Sequence, residues 1–407
     1  MVIIGGGEAG ARAAVALREN GFSGEITIVG DEVHPPYERP PLSKAMVIAE
    51  ADPNPHLILP EERFAALNIR LVSGMAATTI DRLAHRVILA DGRHIPYDRL
   101  LLATGANPRR LTIAGTAENT VFYLRRFSDV LTLRSRLRPG CRLVVIGGGF
   151  IGLEVAANAR SRGCEVTVIE SALRLLTRAV PKEIATTIAE RHEIAGVRLL
   201  TGAQPAGLEL RGDKIRVVLT NGECIEADAT IAGIGAVPEI TIAEAAGLTI
   251  DNGIAVDATM CTDDPDIFAA GDCCSFPHAL YSGRRIRLEA WRNAQDQGTV
   301  AARNMLGADE HYAAVPWFWS DQYELTIQIA GLAEEGCETV TREIRDDLRL
   351  HFHLADDGRL VAVSAVGPNA AIARDIRIAE MLIARRIYPE RHALAASNVN
   401  LKALLSS

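Results

Sequence analysis

Two stretches of the chain share one pattern: a short apolar strand, a glycine-rich turn and an alanine-rich helical segment. The first begins at Val2-Ile3-Ile4 and the second at Arg142-Leu143-Val144-Val145-Ile146. Short apolar runs that alternate with helical segments are typical of buried parallel strands. The alternation continues through the first three quarters of the chain, so the pattern predicts an α/β fold with parallel sheets.

The last quarter of the chain has a different pattern. Beyond Trp317, three segments have the apolar or alternating character of strands, and the segment from Ile372 to Arg385 has helical periodicity. The three predicted strands are Leu325–Ile329, Leu348–Phe352 and Val361–Val363. This part of the chain is therefore expected to form a small α+β domain.

The first glycine-rich turn fits the pattern G-x-G-x-x-G. Gly5 allows a tight turn, Gly7 lets the backbone approach a pyrophosphate, and Gly10 lets the helix lie close to the strand. The following helix would direct its N-terminal amides at the phosphates. The next predicted strand ends at Asp31 and Glu32, where a carboxylate can accept ribose hydroxyls. The segment therefore predicts a dinucleotide-binding unit.

The second turn repeats this arrangement, and the strand after its helix ends at Glu170. A carboxylate at that position binds a free ribose 2′-hydroxyl and repels a 2′-phosphate, so it favours NADH over NADPH. Arg174 and Arg178 lie nearby and weaken that preference. The turn residues expected at this nucleotide are Gly147, Gly149, Phe150, Ile151 and Gly152.

Charge and composition narrow the classes of partner. The formal net charge of −8 offers no bulk attraction to nucleic acid or to an anionic membrane. No apolar run is long enough to cross a bilayer, and no signal peptide is visible, so a cytoplasmic location is expected. The seven cysteines form no C-x-x-C pair and no metal-like spacing. We expect them to be small buried residues, and a redox role for Cys273-Cys274 is a lesser alternative.

Further segments carry a specific resemblance. Together they are similar to the family of FAD-dependent NADH:ferredoxin reductases that serve bacterial ring-hydroxylating dioxygenases and haem monooxygenases. The segments are Pro36–Lys44, Leu100–Ala106, Ala232–Pro238, Thr262–Asp272, Leu288–Ala294 and Pro316–Gln322.

The resemblance implies a fold, a reaction and partners. FAD would bind to a glutathione-reductase-like Rossmann-type domain made of residues 1–105 and 232–312. NADH would bind to a second Rossmann-type domain made of residues 106–231. Residues 313–407 would form the C-terminal α+β domain. Hydride would pass from NADH to FAD, and single electrons would pass to a [2Fe–2S] ferredoxin. No metal, nucleic acid or membrane partner is implied, and the chain would be a monomer or a homodimer.

The resemblance also assigns roles to residues. Lys44 would lie at the flavin edge, Glu154 would orient the nicotinamide carboxamide, and Trp291 and Trp319 would flank the flavin and nicotinamide. Asp272 would bind the ribityl chain. Other implied cofactor contacts are Ala9, Asp31, Arg39, Ala77, Ala103, Thr104, Gly105, Arg125, Gly233, Ile234, Gly271, Glu289 and Ala290.

Three alternatives stay open at the level of sequence. A rubredoxin reductase or an NADH oxidase would share this scaffold, as would a redox-gated binding flavoprotein similar to apoptosis-inducing factor. The stretch from the first turn to Lys44 contains no cysteine, so a relay through a dithiol beside the flavin is excluded. Because an acidic ferredoxin needs a local positive face, we expect one at Arg284, Arg285, Arg287 and Arg303.

Overall fold

The structure, a computed structural model, describes residues 1–49, 53–115, 121–177, 180–345 and 348–405. The chain divides into two compact units, each made of three chain segments. The first unit comprises Met1–Glu38, Asn54–Asn107 and Val237–Pro316, and the second comprises Arg39–Pro53, Pro108–Ala236 and Trp317–Ser407. The division into three domains that the resemblance implies is not tested by these two units and stays a prediction.

Strands β1 to β25 follow one another in chain order within the described residues. They are Val2–Ile4, Ile26–Val29, Ile69–Val72, Ala77–Asp81, Arg86–Leu89, His94–Pro96, Leu100–Leu102, Ala106–Pro108, Arg142–Ile146, Glu165–Glu170, Arg198–Thr201, Pro205–Arg211, Lys214–Leu219, Cys224–Ala227, Ala229–Ala232, Ala236–Pro238, Ile254–Ala255, Ile267–Ala269, Cys274–His278, Arg284–Ile286, Trp317–Gln322, Leu325–Gly331, Glu338–Arg345, Leu348–Leu354 and Leu360–Gly367.

Helices α1 to α10 are Glu8–Glu19, Ala45–Ile48, Glu61–Ala66, Phe127–Arg136, Phe150–Ser161, Lys182–Ile194, Thr241–Ala245, Trp291–Met305, Asn369–Ala384 and Arg391–Ala395. Short 3₁₀ helices cover Pro40–Ser43, Ala279–Tyr281, Ala333–Glu335 and Leu401–Leu405.

The first unit is built on a parallel sheet with the strand order β18-β7-β1-β2-β3. Its central strand β1 pairs with β2 and β7, so that Ile3 lies between Ile28 and Leu101. The strands β1, β2, β7 and β18 are buried along their whole length. Continuous apolar runs of this kind are expected where helices or loops cover both faces of a parallel sheet. A separate antiparallel sheet contains β4, β5 and β6.

The second unit contains a parallel sheet with the order β11-β10-β9-β15 and an antiparallel sheet of β12, β13 and β14. Val144 of β9 pairs with Thr167 and Thr230 on its two neighbours. Val217 and Ala227 of the antiparallel sheet join the same hydrophobic cluster as Val144. Both units therefore place a glycine turn at the carboxyl end of a central parallel strand, which confirms the predicted α/β class.

The chain ends in an antiparallel sheet with the order β21-β22-β25-β24-β23, and α9 packs on β22 and β25. The three strands predicted from the sequence are its interior strands, whereas β21 and β23 were not predicted. These two are the edges of the sheet, and only part of each is buried. Edge strands lose the apolar alternation that identifies a covered strand, which is why the pattern missed them. The helix begins at Asn369, earlier than predicted, with Pro368 at its N-cap position.

Candidate functional site

The first glycine turn leaves open space at one position only. A Cβ atom on Gly5 would lie 2.1 Å from the Ala103 carbonyl oxygen, and one on Gly10 would lie 2.1 Å from the Gly5 carbonyl oxygen. A Cβ on Gly7 would meet no atom within 4 Å. The first and third glycines are thus required by packing, and the second leaves room at the N-terminus of α1. A pyrophosphate fits this cradle, because helix N-termini present unpaired amides and a positive dipole.

Two buried polar atoms near the start of α1 support a ligand at this end of the first unit. Glu8 Oε2 and Gln297 Nε2 are buried and have no hydrogen-bond partner within the described ranges. Burial raises the pKa of Glu8. Gln297 uses its other amide atom to accept from Gly271 N at 2.8 Å. Buried polar groups without hydrogen-bond partners destabilise a fold. A polar group of a bound ligand such as FAD would supply the missing hydrogen bonds.

The other predicted FAD contacts of this unit lie on several elements. Thr104 Oγ1 donates to the Glu239 carbonyl at 2.5 Å, and Tyr37 donates to Glu32 at 2.5 Å. Arg287 donates to the carbonyl of Asp272 at 3.2 Å and pairs with Glu289 at 2.6 Å. Residues at element ends or in loops are Ala9, Asp31, Ala77, Ala103, Gly105, Gly271, Ala290 and Trp291.

The second glycine turn has the same geometry as the first. A Cβ on Gly147 would lie 2.4 Å from the Gly233 carbonyl oxygen, and one on Gly152 would lie 2.3 Å from the Gly147 carbonyl oxygen. Around Gly149, the nearest atom would be 3.8 Å away. The second turn can therefore also approach a pyrophosphate, here at the start of α5. Its third glycine, Gly152, lies inside the helix, because α5 begins at Phe150, directly after Gly149.

Glu170 ends β10 beside this turn. Its Oε2 accepts from Gly148 N at 2.7 Å, and its Oε1 accepts from Ala172 N at 2.7 Å. A carboxylate has further acceptor positions, so it can still bind ribose hydroxyls. Arg178 lies outside the residues that the structure describes.

Glu154 is the centre of a buried polar cluster in the second unit. The residue lies on the first turns of α5, and its side chain is 6% exposed. Its Oε1 accepts from Lys44 Nζ at 2.5 Å and from Ser320 Oγ at 2.6 Å, while its Oε2 accepts from Ser43 Oγ. Three chain segments far apart in sequence thus meet at one carboxylate.

Lys44 also joins this cluster to an aromatic group. Its Nζ lies 3.2 Å from Asp321 Oδ2 and 5.9 Å from the centre of the Trp319 ring. Trp319 donates to Asp321 at 3.2 Å and stacks on Trp317 with ring centres 5.2 Å apart. A cation held beside an indole ring and two carboxylates is an arrangement typical of functional sites in which charge develops or is transferred.

One face of α5 holds the chain segment that carries Lys44. Asn158, one turn beyond Glu154, donates to the Ser43 carbonyl at 2.8 Å. Arg162, one turn further, donates to the carbonyls of Val47 and Ala49 at 3.1 and 3.3 Å. Side chains four residues apart lie on one helix face. The helix that begins at the second glycine turn therefore also fixes the position of Lys44.

The structure brings together Lys44, Glu154 and Trp319, three of the four predicted reactive residues. Trp291 belongs to the first unit, at the start of α8. The sequence predicts no role for Ser43, Ser320 or Asp321, although all three lie within segments that carry the family resemblance. In the second unit, Arg39 donates to the Arg125 carbonyl at 2.7 Å, and the ring centres of Phe150 and Phe318 are 4.5 Å apart. Ile234 is partly buried and packs against the core of this unit.

The predicted positive face needs correction at Arg287. The side chain of Arg287 is 12% exposed and braces Asp272 and Glu289, so it is no free surface cation. Arg285 pairs with Asp251 at 3.4 Å, and Arg303 pairs with Glu310 at 2.9 Å. Arg284 is exposed.

The cysteines also depart in part from expectation. Cys141, Cys164, Cys273 and Cys274 are buried as predicted, but Cys337 is exposed and two others are half-buried. Burial raises the pKa values of Cys273 and Cys274, which disfavours a reactive thiolate at that pair.

Over the described ranges, helices long and apolar enough to cross a membrane are absent. Within the same residues, His, Cys, Asp and Glu side chains form no cluster that could hold a metal ion.

Comparison with known proteins places these features. Residues 1–298 match the family model described as pyridine nucleotide-disulphide oxidoreductase, and residues 317–405 match the one described as reductase C-terminal. The chain is 40% identical to the ferredoxin–NAD(+) reductase component of the anthranilate 1,2-dioxygenase system of Burkholderia cepacia, over 99% of this chain and 98% of that protein. It is 39% identical to putidaredoxin reductase of Pseudomonas putida, over 100% and 97%.

A solved structure agrees with these relatives. The reductase in the crystal structure of the covalent putidaredoxin reductase–putidaredoxin complex superposes with a TM-score of 0.93 and 37% identity. The match covers 100% of this chain and 97% of that chain.

Proposed function

This chain belongs to the pyridine nucleotide-disulphide oxidoreductase family, and from that premise we propose that it is an FAD-dependent NADH:ferredoxin reductase. Its partner is a [2Fe–2S] ferredoxin that feeds a ring-hydroxylating dioxygenase or a haem monooxygenase. The observation that carries the proposal is the presence of two open glycine turns, each at a helix N-terminus, in a chain whose first cysteine is Cys141. Electrons that enter from one dinucleotide therefore leave without a dithiol relay.

The chain's own residues bind and orient the reactants. Gly7 and the N-terminus of α1 would hold the FAD pyrophosphate, and Gly149 and the N-terminus of α5 would hold that of NADH. FAD, when bound, accepts two electrons as hydride and releases them singly. Glu154 accepts from the nicotinamide carboxamide, which orients the ring for transfer.

Lys44 supplies a fixed positive charge in this arrangement. Its ammonium group is held by Glu154 and Asp321, so it does not need to reorganise when negative charge accumulates nearby. The cluster also keeps the buried Glu154 carboxylate paired, which limits its desolvation cost.

The proposal is tested on the purified holoenzyme. The protein should be yellow and release FAD, not FMN, on denaturation, because an adenosine-binding βαβ unit opens the chain. NADH should reduce a [2Fe–2S] ferredoxin of an oxygenase system catalytically. Release of FMN, or failure to reduce ferredoxins while NADH bleaches the flavin, would overturn the proposal.

The alternatives give different results in the same assay. A rubredoxin reductase would reduce rubredoxin faster than any [2Fe–2S] ferredoxin, and an NADH oxidase would consume oxygen rapidly without an acceptor protein. A redox-gated binding protein would form a long-lived charge-transfer complex and turn over slowly. The predicted cytoplasmic location and the division into three domains belong to this proposal.

A further inference from the structure

A row of buried polar side chains leads from Glu154 to helix α6 in the second unit. Ser320 donates to Glu154, and Gln322 Nε2 donates to Ser320 Oγ at 3.0 Å. Gln322 Oε1 lies 3.1 Å from His192 Nε2, and Tyr323 Oη lies 3.4 Å from His192 Nδ1. The side chains of Ser320, Gln322 and His192 are each 0% exposed. Such a buried network is worth its desolvation cost only when every member is satisfied.

Only one direction of donation satisfies the whole row. The Glu154 carboxylate accepts and cannot donate, so Ser320 must donate to it and must itself accept from the Gln322 amide nitrogen. The Gln322 oxygen then faces His192, whose Nε2 must carry the proton. Nδ1 of His192 is left as the acceptor for Tyr323. Burial lowers the pKa of His192 to about 4, which agrees with a neutral ring.

The far end of the row is held in an unusual backbone conformation. Tyr323 has φ +58° in the two-residue turn between β21 and β22. Bulky residues rarely adopt this region, and they persist there only when their surroundings enforce it. Arg191 of α6 lies 4.1 Å above the Tyr323 ring and binds Glu324 through two hydrogen bonds of 2.7 and 2.9 Å. Helix α6 therefore holds the turn next to Gln322 in place, and this orients Gln322 towards Ser320.

At the near end, the acceptor positions of Glu154 can be counted. A carboxylate offers about four. Lys44 and Ser320 fill both positions on Oε1, and Ser43 fills one on Oε2. One position on Oε2 is therefore left over by the described residues.

We propose that Gln322 is a positioning residue for nicotinamide recognition. Together with Ser320 and His192 it fixes Oε1 of Glu154, so that the remaining acceptor on Oε2 meets the carboxamide N–H of the nucleotide. The inference rests on the proposed function, since the contact of Glu154 with the carboxamide belongs to it. His192, Ser320 and Gln322 touch no substrate and act through Glu154.

The test compares a nucleotide that has the carboxamide N–H with one that lacks it. In 3-acetylpyridine adenine dinucleotide a methyl ketone replaces the amide, so Glu154 has no donor to accept from. For the FAD-loaded protein, kcat/KM is measured with the two reduced nucleotides, and the first ratio is the value for the carboxamide nucleotide divided by that for the acetyl nucleotide. Kd is measured with the two oxidised nucleotides by calorimetry, and the second ratio is the value for the acetyl nucleotide divided by that for the carboxamide nucleotide. The variants are Ser320→Ala, which removes the donor to Glu154, and Gln322→Glu, which withdraws the donor to Ser320.

We expect the wild type to prefer the carboxamide nucleotide, and both ratios to fall about three- to tenfold in both variants, as the loss of one hydrogen bond predicts. The matched control is Ser364→Ala, because Ser364 is an equally buried serine of the same sheet that bonds His353 instead. Its ratios should equal those of the wild type. A wild type that does not discriminate, unchanged ratios in the two variants, or an equal fall in the control would each overturn the proposal.

A measurement on the unaltered protein covers the case in which the variants fail to fold. Nitrogen-15 spectra of the histidine rings, assigned through His192→Phe, should show His192 protonated on Nε2. Protonation on Nδ1 would overturn the proposed direction. These failures differ from failure of the proposed function, which would appear as a wild type that cannot reduce ferredoxin with NADH.

Discussion

Glu170 makes one contact that supports the glycine turn and is expected to make a second one with the nucleotide. Its carboxylate accepts backbone N–H groups of Gly148 and Ala172, and it lies where a ribose 2′-hydroxyl is expected. The first contact supports the glycine turn, and the second, which we propose, would select the nucleotide. Substitutions that keep the shape but remove the charge can separate them.

Glu170→Gln should lower the preference for NADH over NADPH about tenfold, because it removes the repulsion of a 2′-phosphate. Its one amide oxygen can still accept from Gly148 N, whereas the hydrogen bond from Ala172 N is lost. Glu170→Ala should in addition raise KM for NADH several-fold, since the turn loses its support. The values of kcat/KM for both nucleotides check this. Glu165→Gln, an exposed change on the same strand, is the control. An unchanged NADH-to-NADPH ratio would mean that Glu170 is not the ribose ligand.

Residues of local motifs could be predicted from the sequence, and residues gathered from afar could not. The spacing of Gly5, Gly7 and Gly10 alone predicts their turn, and the family resemblance predicts roles for Lys44 and Glu154. No pattern along the chain connects His192 with Gln322, because their contact depends on how α6 packs on the last sheet. Partners that are brought together by tertiary packing leave no periodic signal.

Among the elements, α5 has a double role. It begins at the second glycine turn. One of its faces also contacts the segment from Ser43 to Ala49, through hydrogen bonds made by Glu154, Asn158 and Arg162. The helix whose N-terminus we propose to hold the NADH pyrophosphate therefore also contacts the segment that carries Lys44.

Asn158→Ala should loosen the segment that carries Lys44 by removing the hydrogen bond to the Ser43 carbonyl. We expect a loss of about 1 kcal/mol and faster hydrogen exchange at the amides of Val47 and Ala49, which close α2. Exchange followed by mass spectrometry measures this directly. Ser161→Ala, an exposed change at the end of the same helix, should leave the exchange unaltered. Equal exchange in both variants would contradict the connection.

Two elements also carry buried histidines that make stability depend on pH. Burial lowers the pKa of His192 on α6 and of His353 on β24 to about 4 in each case. The unfolded chain takes up protons near pH 6.5 and the folded protein does not, so stability is full above pH 6.5 and falls as the pH decreases. Between pH 6.5 and 5 the loss should be about 2 kcal/mol for each histidine. In His353→Gln, the decline of the unfolding temperature over this window should be less steep than in the wild type, but it should persist, because burial also lowers the pKa values of His192, His278 and His351. An equal slope would refute the assignment.

For the whole molecule, the overall charge of −8 opposes an acidic partner. Attraction must come from local cations within about 10 Å, because salt screens longer distances. Arg303 is half-exposed and lines an open groove of about 620 Å³ in the first unit together with Arg12 and Asp296. Arg284 is also exposed, whereas Arg287 is committed to Asp272 and Glu289.

The double variant Arg284→Glu/Arg303→Glu should slow ferredoxin reduction several-fold and flatten its dependence on salt, while NADH still reduces the flavin at the normal rate. Stopped-flow measurements separate the two half-reactions. Arg287→Glu is the contrasting variant, and it should impair flavin binding as well. Unchanged ferredoxin reduction in the double variant would place the docking face elsewhere.

The second unit is assembled from three separate stretches of chain, and this has a consequence for synthesis on the ribosome. Ser320 and its partner Glu154 are 166 residues apart in sequence, so Glu154 emerges long before Ser320 has been translated. Until then the carboxylate and the surface of α6 lack the sheet that covers them, and long-range contacts of this kind form late. A nascent or truncated chain that stops before Trp317 would therefore leave Glu154 and helix α6 uncovered, and chaperones or proteases would meet them before the protein could fold.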